Sequence, residues 1–202
     1  MPFPDPDTLA WDRVTGLLPA VVQDADTLRV LMLAYMDRAA LRTTRESGKV
    51  SFFSRSRQQA WTKGETSGNF LTLVSIQADC DDDTLLVLAR PQGPTCHLQR
   101  TSCFADAPGD FLAELDGIVA GRERERPAGS YTSSLFDGGI RRIAQKVGEE
   151  GVETALAAVV EDDDALAGEA ADLMFHLLVL LRARGLSLDA ALTVLRERHG
   201  NR

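Results

Sequence analysis

The sequence predicts two domains of different class: an α+β domain with a mainly antiparallel sheet over residues 1–106, and an all-α helical bundle over residues 107–202. Three observations carry this reading. The first half holds β-branched and aromatic runs punctuated by Gly, Pro and Asp, whereas the second is rich in Ala, Leu and Glu at helical spacing. A turn-forming stretch, Ala105-Asp106-Ala107-Pro108-Gly109-Asp110, separates them. The charge also divides unevenly, with 11 basic and 13 acidic residues in 1–106 against 11 basic and 17 acidic in 107–202.

In the first half, Ala20 to Gln23 and Leu28 to Tyr35 read as strands around an Asp24-Ala25-Asp26-Thr27 turn. Asp37 is placed to cap a short helix through Arg45, closed by Gly48. Val50 to Ser54 is a further strand. Phe70 to Ala78 alternates, and Thr84 to Ala89 is a compact apolar strand. In the second half, helices are expected at about 111–125, 138–160, 164–184 and 187–198. Asp110, Asp164 and Ser187 are candidate N-caps and Gly185 a C-cap. Short connections favour antiparallel packing.

Composition excludes several function classes. The chain has 202 residues, 44% of them apolar and 26% charged, as expected of a folded chain. A net charge of −8 argues against a protein built to grip a nucleic-acid backbone. No run of 18 apolar residues is present, so no membrane span is expected. Met1 to Asp7 carries prolines and acids rather than a basic segment followed by an apolar one, so a secretory signal is not expected and a cytoplasmic location is. Three cysteines cannot complete a disulfide framework, and fit cytosolic thiols or metal ligands better.

Cys80, Cys96 and Cys103 each sit beside polar or turn residues. Three thiolates make a soft anionic nest suited to Zn2+, with the fourth tetrahedral position left for water that ionises near neutral pH. The bland alternative is three unrelated thiols. Asp79, Asp81 and Asp83 alternate with Cys80 and Asp82. An extended segment would put the odd positions on one face, a hard oxygen site suited to Mg2+, and Cys80 on the other. A solvated acidic turn is the alternative. His97 adjoins Cys96 as a fourth ligand, a proton shuttle or a hydrogen bond to substrate. Ser54-Arg55-Ser56-Arg57 and Trp61-Thr62-Lys63-Gly64-Glu65-Thr66-Ser67-Gly68-Asn69 combine cations, hydroxyls and glycines, as a phosphate cradle requires.

On the helices, Glu153 lies about 40° from Glu149, with Lys146 and Arg142 one and two turns earlier in the same arc. Leu156 and Val160 align with Glu149 and Glu153, and Leu166, Leu173 and Leu180 align with Glu169. Glu149, Glu150, Glu153, Glu169 and Asp172 are therefore expected to point into the bundle, where buried carboxylates need cations. Divalent metal is the simplest answer, leaving Arg142 and Lys146 for phosphate oxygens. His176 is read as a core or supporting histidine. Glu161 to Asp164 reads as a solvated turn.

Residues 10–105 resemble phosphoribosyl-AMP cyclohydrolases. The resemblance rests on Leu31 to Met36, Ser54 to Arg57, Trp61 to Asn69, Asp79 to Asp83, Gly93 to His97 and Ser102-Cys103-Phe104, in that order. It implies zinc on Cys80, Cys96 and Cys103, magnesium on Asp79, Asp81 and Asp83, and a dimer whose zinc site is completed across two subunits. Arg55, Arg57, Trp61, Lys63 and Ser67 are expected to bind substrate, and His97 is the candidate acid or base. Residues 110–198 resemble phosphoribosyl-ATP pyrophosphohydrolases, relatives of the all-α nucleotide pyrophosphatases. Here the matching residues are Ser130-Tyr131-Thr132, Lys146 to Glu153, and Glu169 to Leu180. Gly151 stands where Ala is more usual, at a helix cost of about 1 kcal/mol. The resemblance implies magnesium on Glu149, Glu150, Glu153, Glu169 and Asp172, and substrate contacts from Arg142 and Lys146. Together the halves imply a bifunctional hydrolase of phosphoribosyl nucleotides in histidine biosynthesis, with Zn2+ and Mg2+ as cofactors, no nucleic-acid or membrane partner, and a homodimeric state. Two rival functions are a general nucleotide pyrophosphatase with a degenerate zinc domain, disfavoured by the intact cysteine set, and a zinc-stabilised nucleic-acid-binding module, disfavoured by the charge.

Overall fold

The computed structural model describes residues 3–200, so Met1 and Pro2, at the start of the segment read as lacking signal character, lie outside the described residues. The chain divides into two compact units, residues 1–110 and 111–202. The first carries strands β1 (Leu18–Asp24), β2 (Val30–Met36), β3 (Ser51–Ser54), β4 (Gln59–Thr62), β5 (Leu71–Ala78) and β6 (Leu85–Pro91), with one helix, α1 (Arg38–Ser47), between β2 and β3. They form one sheet in the order β4-β3-β2-β1-β6-β5. Only β1 and β6 run parallel; every other pairing is antiparallel.

Alternation explains the core. Along β1, Leu18, Ala20 and Val22 turn inward, and Asp24 ends the strand buried, its carboxylate accepting from the Asp26 N–H. The inner face continues through Leu31, Met36, Phe52, Leu71, Ile76, Leu85 and Val87, with Ala40 and Leu41 of α1 packed among them. Asp37 caps α1 by accepting from the Ala40 N–H at 2.7 Å, and Gly48 closes it at φ 67°, as the sequence predicts.

Three readings need correction here. β2 begins at Val30 rather than Leu28, because Leu28 takes φ 57° in the β1–β2 turn. β4 was not expected: Gln59-Ala60-Trp61-Thr62 becomes a strand by pairing with β3, and Trp61 packs on Phe52 with ring centroids 5.1 Å apart. Asp79 to Asp83 is not extended. It forms the β5–β6 turn, with Asp82 at φ 60° and the Asp79 carboxylate accepting from the Asp83 and Thr84 N–H groups.

The second unit holds five helices: α2 (Phe111–Glu125), α3 (Tyr131–Asp137), α4 (Gly139–Val160), α5 (Asp163–Ala183) and α6 (Leu188–Gly200). α3 was missed as a separate helix. Ser130 caps it by accepting from the Ser133 N–H, and Gly139, the first residue of α4, takes φ 78° and so separates the two helices. Asp162, not Asp164, caps α5, accepting from the Ala165 N–H; Asp164 sits in the first turn. Gly185, at φ 72°, follows the α5 C-terminus. The core joins Val119, Leu135, Phe136, Ile143, Leu178 and Val179. Asp116 of α2 is buried, held by a two-point contact with Arg182 of α5, and also accepts from the Leu188 N–H that opens α6.

The α4 face also departs from expectation. Its buried residues are Ile143, Glu150 and Ala157, at sevenfold spacing. Glu149 is half-buried and Glu153 exposed, and Leu156 and Val160, taken as inward, are exposed. The wheel fixes angles between residues; packing against α5 selects the face, and it selects Glu150.

Candidate functional site

In the first unit, a cavity of about 450 Å3 opens between the β4–β5 connection and the loop after β6. Arg57, Trp61, Lys63 and Ser67 line it, together with Met32 of β2 and Cys96, His97 and Cys103. The loop geometry depends on glycine at two points. A Cβ on Gly64 would lie 2.5 Å from the Asn69 backbone, and one on Gly93 would lie 2.5 Å from Asn69 Oδ1. Asn69 is thereby clamped between the two loops.

Cys96 is buried in a tight turn. Its N–H donates to the Arg100 carbonyl, and the Leu98 N–H donates to its Sγ at 3.5 Å. The second cysteine is fixed by β2: the Cys103 N–H donates to the Leu31 carbonyl at 2.8 Å, and the Ser102 hydroxyl to that of Val30 at 2.7 Å. Partial burial pushes the Cys103 thiol up, and the neighbouring Cys96 sulfur adds to this while Lys63 opposes it. Two neighbouring sulfurs are a donor pair suited to a soft cation. His97 is exposed, with Nδ1 4.0 Å from Cys96 Sγ.

The remaining expected residues of this half lie elsewhere. Cys80 is exposed in the β5–β6 turn and joins no metal-type group with Cys96 and Cys103 among the described residues of one chain. Asp79, Asp81 and Asp83 do gather, with carboxylate oxygens within 4.8 Å of one another, through the turn rather than through strand alternation. Arg55 is absent from the cavity wall and lies over the Tyr35 ring at 3.8 Å.

In the second unit, Glu150, Glu169 and Asp172 bring carboxylate oxygens within 4.8 Å of one another across α4 and α5. Glu150 is 5% exposed. Lys146 Nζ lies 2.8 Å from Glu150 Oε1 and 3.0 Å from Glu149 Oε2. Hydrogen bonds to these two carboxylates raise the Lys146 pKa, so the ammonium is firmly charged. Glu149 is lowered, first by the Gln145 amide and then by Lys146. Glu169 is raised, first by partial burial and then by Glu153, Glu150 and Asp172. Three crowded acids, one of them disfavoured as an anion, make an oxygen donor set that fits a hard divalent cation. Glu153 acts on this cluster through its charge but is not one of the three.

Beside the acids lies a cavity of about 320 Å3 lined by Tyr131, Arg142, Gln145, Lys146 and Glu149. The sequence marks Tyr131 only as part of the Ser130-Tyr131-Thr132 motif. The signal that would have singled it out is its place at the start of α3, which depends on the unread Ser130 cap. His176 is buried, with Nε2 3.0 Å from the Tyr131 hydroxyl and Nδ1 3.6 Å from Glu150 Oε1.

Comparison with known proteins matches each unit to a family. Residues 32–105 match the phosphoribosyl-AMP cyclohydrolase model and residues 112–199 the phosphoribosyl-ATP pyrophosphohydrolase model. Whole-length relatives share the order. The protein of Xanthomonas axonopodis pv. citri named histidine biosynthesis bifunctional protein HisIE is 69% identical over 95% of this chain and 93% of its own length. Proteins of the same name from Escherichia coli K12 and Yersinia pestis are 57% and 55% identical, each over 95% of both chains. With both cavities, both domain models and near-complete coverage in agreement, the chain belongs to the bifunctional histidine-biosynthesis family, in which a phosphoribosyl-AMP cyclohydrolase domain precedes a phosphoribosyl-ATP pyrophosphohydrolase domain.

Proposed function

We propose that each cavity performs one of the two hydrolyses with the residues that line it. In residues 107–202, phosphoribosyl-ATP is cleaved at its α–β phosphoanhydride to phosphoribosyl-AMP and pyrophosphate. The observation that carries this is the buried Glu150, gathered with Glu169 and Asp172 next to a cavity bearing Arg142 and Lys146. Glu150, Glu169 and Asp172 would hold Mg2+, with Glu149 and Glu153 on its rim. Magnesium, when bound, supplies positive charge that offsets the phosphates. Arg142 meets phosphate oxygens with a fork of N–H donors. Lys146, on the wall of the same cavity, offers its ammonium to the same phosphates.

In residues 1–106, water adds at C6 of the adenine ring of phosphoribosyl-AMP and the N1–C6 bond breaks. The water oxygen becomes the carbonyl of the resulting carboxamide, and a proton passes to N1. Substitution at N1 already makes the ring electrophilic. Cys96 and Cys103 offer two sulfur donors for Zn2+, and Cys80 of a second subunit would supply the third, which accounts for its distance from the pair within one chain. Zinc, when bound, supplies the Lewis acidity that makes water nucleophilic near neutral pH. His97 takes the proton of the attacking water and returns it to N1. Arg57, Lys63 and Ser67 bind the phosphate, Trp61 walls the base, and Arg55 braces Tyr35. Asp79, Asp81 and Asp83 would hold a second magnesium.

The functional protein is a cytoplasmic homodimer. The exposed run Val152, Leu156, Val159 and Val160 along α4 supports the dimer, since it is an apolar face with no cover in one chain. No described helix is long and apolar enough to cross a membrane. Metal analysis of the purified chain, combined with turnover of phosphoribosyl-ATP followed to the ring-opened product, tests the whole reading. Release of pyrophosphate without ring opening, or full turnover after removal of all divalent ions, overturns it.

A further inference from the structure

Thr95 is 3% exposed, and its hydroxyl oxygen is buried without a hydrogen-bond partner among the described residues. Thr44, Ser51 and Ser102, the other buried hydroxyl residues described in the first unit, are all paired. Thr44 Oγ1 donates to the Ala40 carbonyl at 2.8 Å and accepts from the Ser51 N–H at 2.9 Å. The Ser51 hydroxyl meets that of Thr62 at 2.8 Å, and the Ser102 hydroxyl donates to the Val30 carbonyl at 2.7 Å. A hydroxyl left unpaired in the interior destabilises the chain, because it gives up water and receives nothing in exchange. Thr95 differs from the other three in place as well. It lines the cavity of about 450 Å3 and directly precedes Cys96 in the chain, whereas Thr44, Ser51 and Ser102 are not on that wall.

A threonine hydroxyl rotates about its C–O bond and can donate or accept, so its role depends on no protonation state. A partner that reaches a side chain this deep must be small. Water meets that condition, and an orphaned polar group on a polar cavity wall is where an ordered water binds. The inference rests on the reading of this cavity as the phosphoribosyl-AMP site, where one water must be held beside C6. We propose that the Thr95 hydroxyl holds the water that adds to C6 of the adenine ring. By accepting from one O–H of that water, it leaves a lone pair of the water oxygen free to form the bond to C6. Hydroxyl and methyl share the Thr95 Cβ, so a turn of about 120° about χ1 lets the oxygen meet the water without moving the backbone.

The test compares two variants of the full-length chain: Thr95→Val, which puts a methyl where the hydroxyl stands, and Thr95→Ser, which keeps the hydroxyl. Thr95→Val is expected to lower kcat for ring opening of phosphoribosyl-AMP by about 10²-fold and leave KM within about twofold, because a misplaced nucleophile slows the chemical step alone. Its zinc content and its release of pyrophosphate should match those of the wild type. Tryptophan fluorescence reports on this unit through Trp11 and Trp61, and its urea midpoint should hold or rise, since an unpaired hydroxyl leaves the interior. Thr95→Ser should keep kcat within about fivefold, because the hydroxyl can still accept. An unchanged kcat, a rise in KM alone, a lowered midpoint, a loss of zinc, or a Thr95→Ser chain as slow as Thr95→Val overturns the inference. Wild-type protein that opens no ring in phosphoribosyl-AMP overturns the underlying assignment instead.

Discussion

Lys146 Nζ sits 2.8 Å from Glu150 Oε1, one helical turn away on α4, and closes over a carboxylate that is 5% exposed. A carboxylate at that depth needs a cation, and Lys146 supplies one. Glu150 also faces Glu169 and Asp172 within 4.8 Å. On the proposed reading, a divalent ion held by these three acids would compete with Lys146 for Glu150.

Glu150→Gln should therefore disable pyrophosphate release selectively. The amide keeps the shape and still accepts from Lys146, but loses the charge. We expect kcat for pyrophosphate release to fall by about 10²- to 10³-fold. Ring opening of added phosphoribosyl-AMP should stay within about twofold. Parallel assays of the two half-reactions on one preparation check this, and loss of both in a folded variant contradicts two independent sites.

Cys96→Ala should do the reverse, abolishing ring opening and sparing pyrophosphate release. The separation of Cys80 from Cys96 and Cys103 adds a sharper expectation. If each site takes Cys80 from one subunit and the other two thiols from its partner, mixed dimers of a Cys80→Ala chain and a Cys96→Ala chain contain one intact site. With random assortment into twofold dimers, an equal mixture should recover about a quarter of wild-type ring-opening activity. Refolding or co-expressing the two inactive variants together checks this; no recovery means that the cysteines act within one chain.

How far the sequence carried these sites follows from whether the causes are local. The caps of α1 at Asp37 and Gly48 were legible because a cap is made by residues within one turn of the helix end. β4 was not, because Gln59-Ala60-Trp61-Thr62 has no apolar alternation and becomes a strand only through β3. Asp79, Asp81 and Asp83 were grouped correctly but for the wrong geometry, a strand in place of a turn. Helical spacing puts Glu149 and Glu153 inside with Leu156 and Val160, whereas Glu150 is the buried acid. Apolar neighbours are a poor guide there, because that stripe of α4 is exposed among the described residues.

Asp116 supplies a stability prediction for the helical unit alone. It meets Arg182 at two points, one of them Nε to Oδ1 at 2.8 Å, and receives the Leu188 N–H. Asp116→Ala leaves a partly buried guanidinium and an α6 N–H without this partner, at a cost of about 3 kcal/mol. Both tryptophans, Trp11 and Trp61, lie in the first unit. The loss should therefore lower the helical circular-dichroism midpoint in urea and leave the tryptophan-fluorescence transition in place. Coincident shifts in both signals contradict it.

Glu169 is expected to make both stability and magnesium binding depend on pH. Its pKa is raised in the folded chain, by partial burial first and then by Glu153, Glu150 and Asp172, so folding disfavours its charged form. Below the ordinary carboxylate range Glu169 is protonated whether the chain is folded or not, and the penalty is absent. As pH rises through the ordinary value towards the raised folded value, the unfolded chain loses its proton first. The penalty grows across that window and is complete above it. Stability of the helical unit should thus fall across this acidic window for this group, and Glu169→Gln should raise the metal-free thermal midpoint at neutral pH but not at pH near 4. Magnesium offsets the same repulsion. At about one hundred times its Kd it should raise the wild-type midpoint of the helical unit by about 10–20 °C at neutral pH. That gain should shrink near pH 4, where Glu169 must shed its proton to bind a cation, and shrink in Glu169→Gln, which offers one acid fewer. Calorimetry of both proteins with and without magnesium at the two pH values decides it: a magnesium effect of equal size in all four conditions would mean that the ion binds away from this cluster.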